Sequence, residues 1–214
     1  MELKEKEWDW DKFIDAINGY KRIFVTGPQR SGTRIAAFTI ADYLHYYILY
    51  SGMIGNNFHK PELKSIEFFE HHVTHCPNFS HQIHELRYKD TLVVWLDRCI
   101  DEVIKSEKKI NWQWKYEKEE QPKYLDVFPE YEEKIKSFKT NWEMKTWFWN
   151  NVQKDSIKVD CVVLPYRLLN SSKHFIQDED RKKFKSDQIT QKYVFGVKPY
   201  LPKTENMLGK KNNE

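Results

Sequence analysis

The sequence predicts an α/β fold, a mainly parallel central sheet flanked by helices. Three observations carry that expectation. Apolar, β-branched runs stand at 22–26 (RIFVT), 91–96 (TLVVWL) and 158–165 (KVDCVVLP). The stretches between them have helical spacing rather than hairpin turns. A glycine-bounded loop, GPQRSGT, joins the first run to a long apolar helical stretch, the opening of a phosphate-binding α/β unit.

Taken in order, 8–18 (WDWDKFIDAIN) reads as a short amphipathic helix ending near Gly19. Strand 22–26 and the loop follow, then a helix from Arg34 to about Tyr50. Residues 51–70 read as a polar loop. HHVTHC at 71–76 is a short strand, and Pro77-Asn78 opens a helix, FSHQIHELR. TLVVWL is the clearest strand, a continuous apolar run of the kind buried on both faces. A helix is expected at 101–109, with Ile100, Val103 and Ile104 on one side. The charged, aromatic middle, 107–139, reads as lids or surface helices, and 139–152 as an aromatic-rich helix. A charged helix is expected at 172–187 and a frayed tail after Pro202. The expected organisation is one domain over 1–202, with a variable region at about 107–150, and a disordered tail at 203–214.

Composition narrows the function classes. The chain has 214 residues, enough to bury a core without disulfides or metal staples. Lys+Arg 35 against Asp+Glu 32 leaves a formal charge of +3, too mild to argue for a nucleic-acid polymer but compatible with a small anion. The three cysteines, Cys76, Cys99 and Cys161, lack metal spacing and read as reduced, so a cytoplasmic location is expected. The charged start MELKEKEWDWDK does not read as a secretory signal. Asp42 and His45 interrupt the most apolar stretch, Ile35 to Ile54, so it reads as a buried helix and no membrane span is expected.

The loop Gly27-Pro-Gln-Arg-Ser-Gly-Thr-Arg34 carries the first chemistry. Backbone N–H groups in such a turn cradle an oxyanion, and the following helix adds a positive partial charge. Arg30 offers a planar donor, and Ser31 and Thr33 offer hydroxyls. The G-x4-G spacing is that of a nucleotide loop, yet Thr33 and Arg34 stand where NTPases need Lys then Ser/Thr. An anion site survives this change, while metal-dependent NTP hydrolysis loses its support. A plain strand–turn–helix junction is the bland alternative. The second pattern is Arg98 at the end of a strand with Ser106 about two helical turns later, placed to grip a second phosphate.

Together the two patterns resemble the sulfotransferases that use 3′-phosphoadenosine 5′-phosphosulfate (PAPS). Their first signature, of the type [RK]-S-G-T-[TS], stands here as Arg30-Ser31-Gly32-Thr33-Arg34. Their second, R-x-P-x-D-V-x-x-S, is matched by Arg98, Val103 and Ser106, with Glu102 at the acidic place and Ile100 in place of proline. The resemblance implies a P-loop NTPase-like architecture. It implies that Arg30 to Arg34 bind the 5′-phosphate and that Arg98 and Ser106 bind the 3′-phosphate. Val73-Thr74-His75-Cys76-Pro77 is similar to the family's K-T-H-x-P strand, with Val73 in place of lysine. His75 is then the expected catalytic base, with His59 and Glu70 as rivals. CVVLPYRLL at 161–169 is similar to a late strand ending in Y-E-D-L, through Tyr166 and Leu169. The implied reaction is metal-free, in-line sulfuryl transfer to a hydroxyl or amine of a small molecule or glycan, leaving adenosine 3′,5′-bisphosphate. Arg30 is expected to stabilise the leaving phosphate.

Other readings stay open. His71, His72 and His75 beside Cys76 hint at zinc, but no second cluster completes a site and no metal is expected. Trp112, Trp114 and Tyr116 read as lid packing in preference to ligand stacking. A P-loop kinase would use Asp97 and Mg²⁺ instead of Arg98 and Ser106. A binding module without turnover, or a purely structural protein, are further alternatives.

Overall fold

The computed structural model describes residues 9–50, 63, 66–110 and 116–172. Helix α1 (Trp10–Ile17) is capped by the Asp9 carboxylate, which accepts from the Lys12 amide at 2.9 Å, and buries Trp10, Phe13, Ile14 and Ile17 along one face. Such a cap stabilises a helix start by about 1 kcal/mol. Strand β1 (Arg22–Thr26) is buried throughout, and helix α2 (Thr33–Leu44) follows the loop.

The expected helix to Tyr50 is two elements. His45 takes a left-handed φ of 55° and closes α2, and β2 (Tyr47–Tyr50) begins two residues later. The apolar run hid the boundary because histidine is an uncommon helix stop. Strands β3 (His72–His75), β4 (Thr91–Asp97) and β5 (Asp160–Pro165) stand at the runs where strands are expected. Helix α3 (Ile100–Lys108) follows β4. The segment Pro77–Glu85 is helical as expected, but of the 3₁₀ type with a kink at Phe79.

The middle is helical too: a π turn at Tyr116–Glu120, α4 (Gln121–Val127), a 3₁₀ turn at Pro129–Tyr131, and α5 (Glu132–Ser137). Helix α6 (Asn141–Phe148) opens on a capping box, with Thr140 and Glu143 each bonding the other's backbone, and runs into a second π turn at Trp149–Gln153. A 3₁₀ turn, Tyr166–Ser171, follows β5. The helix expected at 172–187, the tail and most of the 51–70 loop lie outside the described residues.

The fold is α/β. The sheet has five strands in the order β2-β3-β1-β4-β5, and all the pairings are parallel. Alternating side chains feed two cores, as the period of a strand demands. Ile23, Val25, Leu92, Val94 and Leu96 face α1 and α2. Phe24, Val93 and Trp95 face the opposite way, where Trp95 stacks on Trp149 with ring centroids 4.5 Å apart. The helical middle builds its own aromatic cluster of Tyr116, Tyr124, Phe128, Ile135, Met144 and Phe148. No helix among the described residues is long and apolar enough to cross a membrane.

This strand order has one topological switch point that matters. The chain leaving β1 travels toward β2 at one edge, and the chain leaving β4 travels toward β5 at the other. The crevice between these departing segments is where open parallel sheets bind ligands. The 27–32 loop and the start of α3 border it.

Candidate functional site

The loop after β1 is shaped by backbone that ordinary residues avoid. Gly27 has φ 137° and Gly32 has φ 97°, both in the glycine-favouring region. A Cβ on Gly27 would lie 2.9 Å from the Leu96 carbonyl oxygen, so this glycine lets the loop lie against β4. A Cβ on Gly32 would lie 2.5 Å from Cε2 of Tyr166, so the Tyr166 ring occupies that space. Arg30 is itself left-handed, with φ 69°.

Three of the sequence-selected residues meet across the crevice. The Nε of Arg30 donates to the Ser106 hydroxyl at 3.0 Å, and Nη1 of Arg98 donates to the Arg30 carbonyl at 3.2 Å. The Arg98 guanidinium lies 4.0 Å from the centre of the Tyr166 ring, the same ring that covers Gly32. Its Nε pairs with Glu102 at 2.7 Å. Thus the loop, α3 and the turn after β5 meet around the two guanidinium groups of Arg30 and Arg98.

Partial burial lowers the pKa of Arg30, and the neighbouring charge of Arg98 lowers it further, with Glu107 acting in the other direction. Among the described residues, no carboxylate lies within ion-pair distance of Arg30. Two guanidinium groups held together this way gain from an added anion. The donor set suits phosphate or sulfate, and no group of acids, histidines or cysteines among the described residues is arranged to hold a metal.

The remaining candidates divide. Thr33 and His75 meet, with Thr33 Oγ1 and His75 Nε2 3.1 Å apart. The neutral-range pKa expected of a base is not found: burial of the ring, and then the charge of Arg34, lower His75 to about 3. Arg34 is exposed on the first turn of α2, with its guanidinium 6.0 Å from the Phe38 ring. Ser31 departs from its expected role. Its hydroxyl is buried and donates to the Pro28 carbonyl at 2.6 Å, and its amide turns to the same oxygen, so the side chain closes the loop on itself.

Glu70 is displaced outright as a rival base. It sits at the amino end of the sheet, bonding Lys21 at 3.1 Å and Arg22 at 3.3 Å, with the whole length of β1 between it and the loop. His59 lies outside the described residues, as do Trp112 and Trp114. Tyr116 is packing, as expected: it is 3% exposed and its hydroxyl donates to the Phe138 carbonyl. Asp97 is the exposed last residue of β4, beside Arg98.

Sequence reasoning missed the residues beneath the loop. Gln29 is buried, and its Nε2 donates to Asn78 at 3.1 Å. Its Oε1 accepts from Asn141 and, at 2.7 Å, from the ammonium of Lys145. Lys145 is fully buried, also donating to the Pro77 carbonyl at 2.7 Å and pairing with Glu120 at 2.6 Å. One signal pointed here. Asn141, Met144, Lys145 and Phe148 share the buried face of α6, and a lysine on such a stripe demands an internal partner.

Comparison of the chain with protein-family models, with curated proteins and with solved structures gives no match.

Proposed function

We propose that this protein is a PAPS-dependent sulfotransferase of P-loop-like architecture that transfers a sulfuryl group to a hydroxyl or amine acceptor. The observation that carries the reading is the convergence of Arg30, Arg98 and Ser106 at the switch point between β1 and β4. These residues belong to the two separate motifs that resemble the family's phosphate signatures, one after each strand. The donors present, the Arg30 and Arg98 guanidinium groups and the Ser106 hydroxyl, are of the kind that bind phosphate, and Arg98 shares its Nε with Glu102 at 2.7 Å.

When bound, the donor supplies an activated sulfuryl group, and the electron pair of the broken S–O bond leaves on its 5′-phosphate. In this reading the loop amides, Arg30 and Arg34 hold that phosphate and neutralise the charge that develops on it. Arg98 and Ser106 hold the 3′-phosphate. Thr33 contributes its backbone at the N-terminus of α2, and Gly32 makes room for the Tyr166 ring beside the loop. His75, the base that the resemblance implies, lies against Thr33 of the loop; burial lowers its basicity, so it is a weak acceptor for the substrate proton.

Incubation with sulfur-labelled PAPS, without added metal, against a panel of phenols, alcohols, amines and glycans tests the reading. Label transfer that disappears in Arg30→Ala supports it. A second reading, a Mg²⁺-dependent phosphotransferase, draws on Asp97 at the end of β4, beside the crevice. Label transfer from ATP with Mg²⁺, lost in Asp97→Asn and retained in Arg98→Ala, would replace the first reading with the second.

A further inference from the structure

Arg30 presents its guanidinium to Ser106 from a left-handed backbone, and the residue before it is Gln29. For a side chain other than glycine or asparagine this conformation costs about 1–2 kcal/mol, and it persists only where the surroundings fix it. Ser31 closes the loop internally on the Pro28 carbonyl, and further fixing bonds come from outside the loop. Asn78 lies in the segment after β3, and Asn141 and Lys145 lie on α6; all three bond the Gln29 amide. Lys145 also ties Pro77 and Glu120 into the same cluster. Burying an ammonium is costly even when it is paired, and a methionine would fill the same space without that cost. The polar bonds therefore have a role that packing does not explain.

We propose that Lys145 is a positioning residue: through Gln29 it holds the 27–32 loop in the shape that turns Arg30 toward Ser106 and Arg98. Glu120 balances its charge, so the helical middle of the chain sets the geometry of the anion site before any ligand arrives. The inference rests on the anion-site reading above, but its structural half stands on the ligand-free loop alone. Preorganisation of this kind lowers the ordering cost of binding.

Two readouts test it. The first is hydrogen exchange of the ligand-free protein, comparing peptides over 27–34 with peptides over 91–97 as an internal measure of the core. The second is calorimetric titration with adenosine 3′,5′-bisphosphate. The variants are Gln29→Leu, and Lys145→Met combined with Glu120→Gln, which removes the ion pair without leaving one charge buried. Gln29→Leu and the double variant are expected to speed exchange at 27–34 by about tenfold while 91–97 is unchanged. Both are expected to bind the nucleotide about tenfold more weakly than the parent. Exchange at 27–34 that stays at the parental rate in folded variants overturns the proposal, as does loss of protection spread equally over 27–34 and 91–97. A parent protein that ignores the nucleotide overturns the sulfotransferase reading instead, and the exchange result then decides the positioning role by itself.

Discussion

Arg98 Nη1 donates to the backbone carbonyl of Arg30 at 3.2 Å, joining the end of β4 to the loop after β1. The bond has two consequences. It brings two like charges to one place, and it makes the Arg30 backbone depend on the Arg98 side chain. The two arginines are therefore not independent ligands. Single alanine substitutions at each, and the double substitution, are expected to be non-additive in binding adenosine 3′,5′-bisphosphate, with a coupling of about 1 kcal/mol. Calorimetry on the four proteins of that cycle measures it; simple additivity would mean that the bond does not organise the site.

Gly32 is the second joint. It combines a φ of 97° with a Tyr166 ring in the space a side chain would need. Gly32→Ala is expected to destabilise the fold by about 2–4 kcal/mol in urea unfolding and to abolish anion binding. Combining it with Tyr166→Ala removes the clash and leaves the backbone strain, so recovery is partial. Tyr166→Phe keeps the ring under Arg98 and is expected to bind as the parent does.

Part of the candidate site is legible in the sequence. Gly27 and Gly32 bound a loop between a strand and a helix, and Arg30 lies in it; Arg98 and Ser106, two helical turns apart, are a weak pattern alone and stand out only through the family resemblance. Patterns of this kind survive translation into sequence because they are local. Lys145 and Glu120 are not local to the loop. Lys145 reaches it across 116 residues of chain, and only its place on the apolar face of α6 betrays it. The β2 strand was lost for a different reason. Its YILY continues the apolar run of α2, and only the left-handed backbone of His45 divides them. The low basicity of His75 was beyond reach because burial depends on tertiary packing that no motif encodes.

The same buried groups set the response to acid. Burial holds His72 at about 4, with the Arg22 charge adding to it, and holds His81 at about 3, with Lys145 adding to it. The unfolded chain takes up protons as the pH falls through about 6.5, while the folded chain does not until far lower, so acid favours unfolding. For each histidine the loss is up to about 1.4 kcal/mol per pH unit between its unfolded and folded values. Glu120 adds to the loss in a lower window. Burial alone would raise it, but Lys145 and then Lys123 hold it below the usual carboxylate range, so its contribution disappears as the pH falls below about 4.5. Urea unfolding at pH 7, 6 and 5 is expected to show a steady fall in stability, with a shallower slope in His72→Phe.

The Lys145–Glu120 pair makes a sharp stability prediction of its own. Lys145→Met leaves the buried Glu120 with Lys123, at 2.8 Å, as its remaining partner, and is expected to cost about 3 kcal/mol, the low end for breaking a buried pair. Adding Glu120→Gln removes the half-compensated charge and is expected to return part of that loss. Thermal unfolding of the single and double variants distinguishes this from a simple packing defect, which the second substitution would not repair.

On the sulfotransferase reading, Arg30, Arg98 and Ser106 build a metal-independent site for a doubly phosphorylated adenosine. Calorimetric titration of adenosine 3′,5′-bisphosphate into the parent protein and into Arg98→Ala, each with and without Mg²⁺, tests it most directly. Binding is expected to be indifferent to Mg²⁺ and weaker by about 10- to 100-fold in the variant, the range for a lost charge-assisted contact. Equal affinity in the two proteins, or binding that appears only with Mg²⁺, would contradict it.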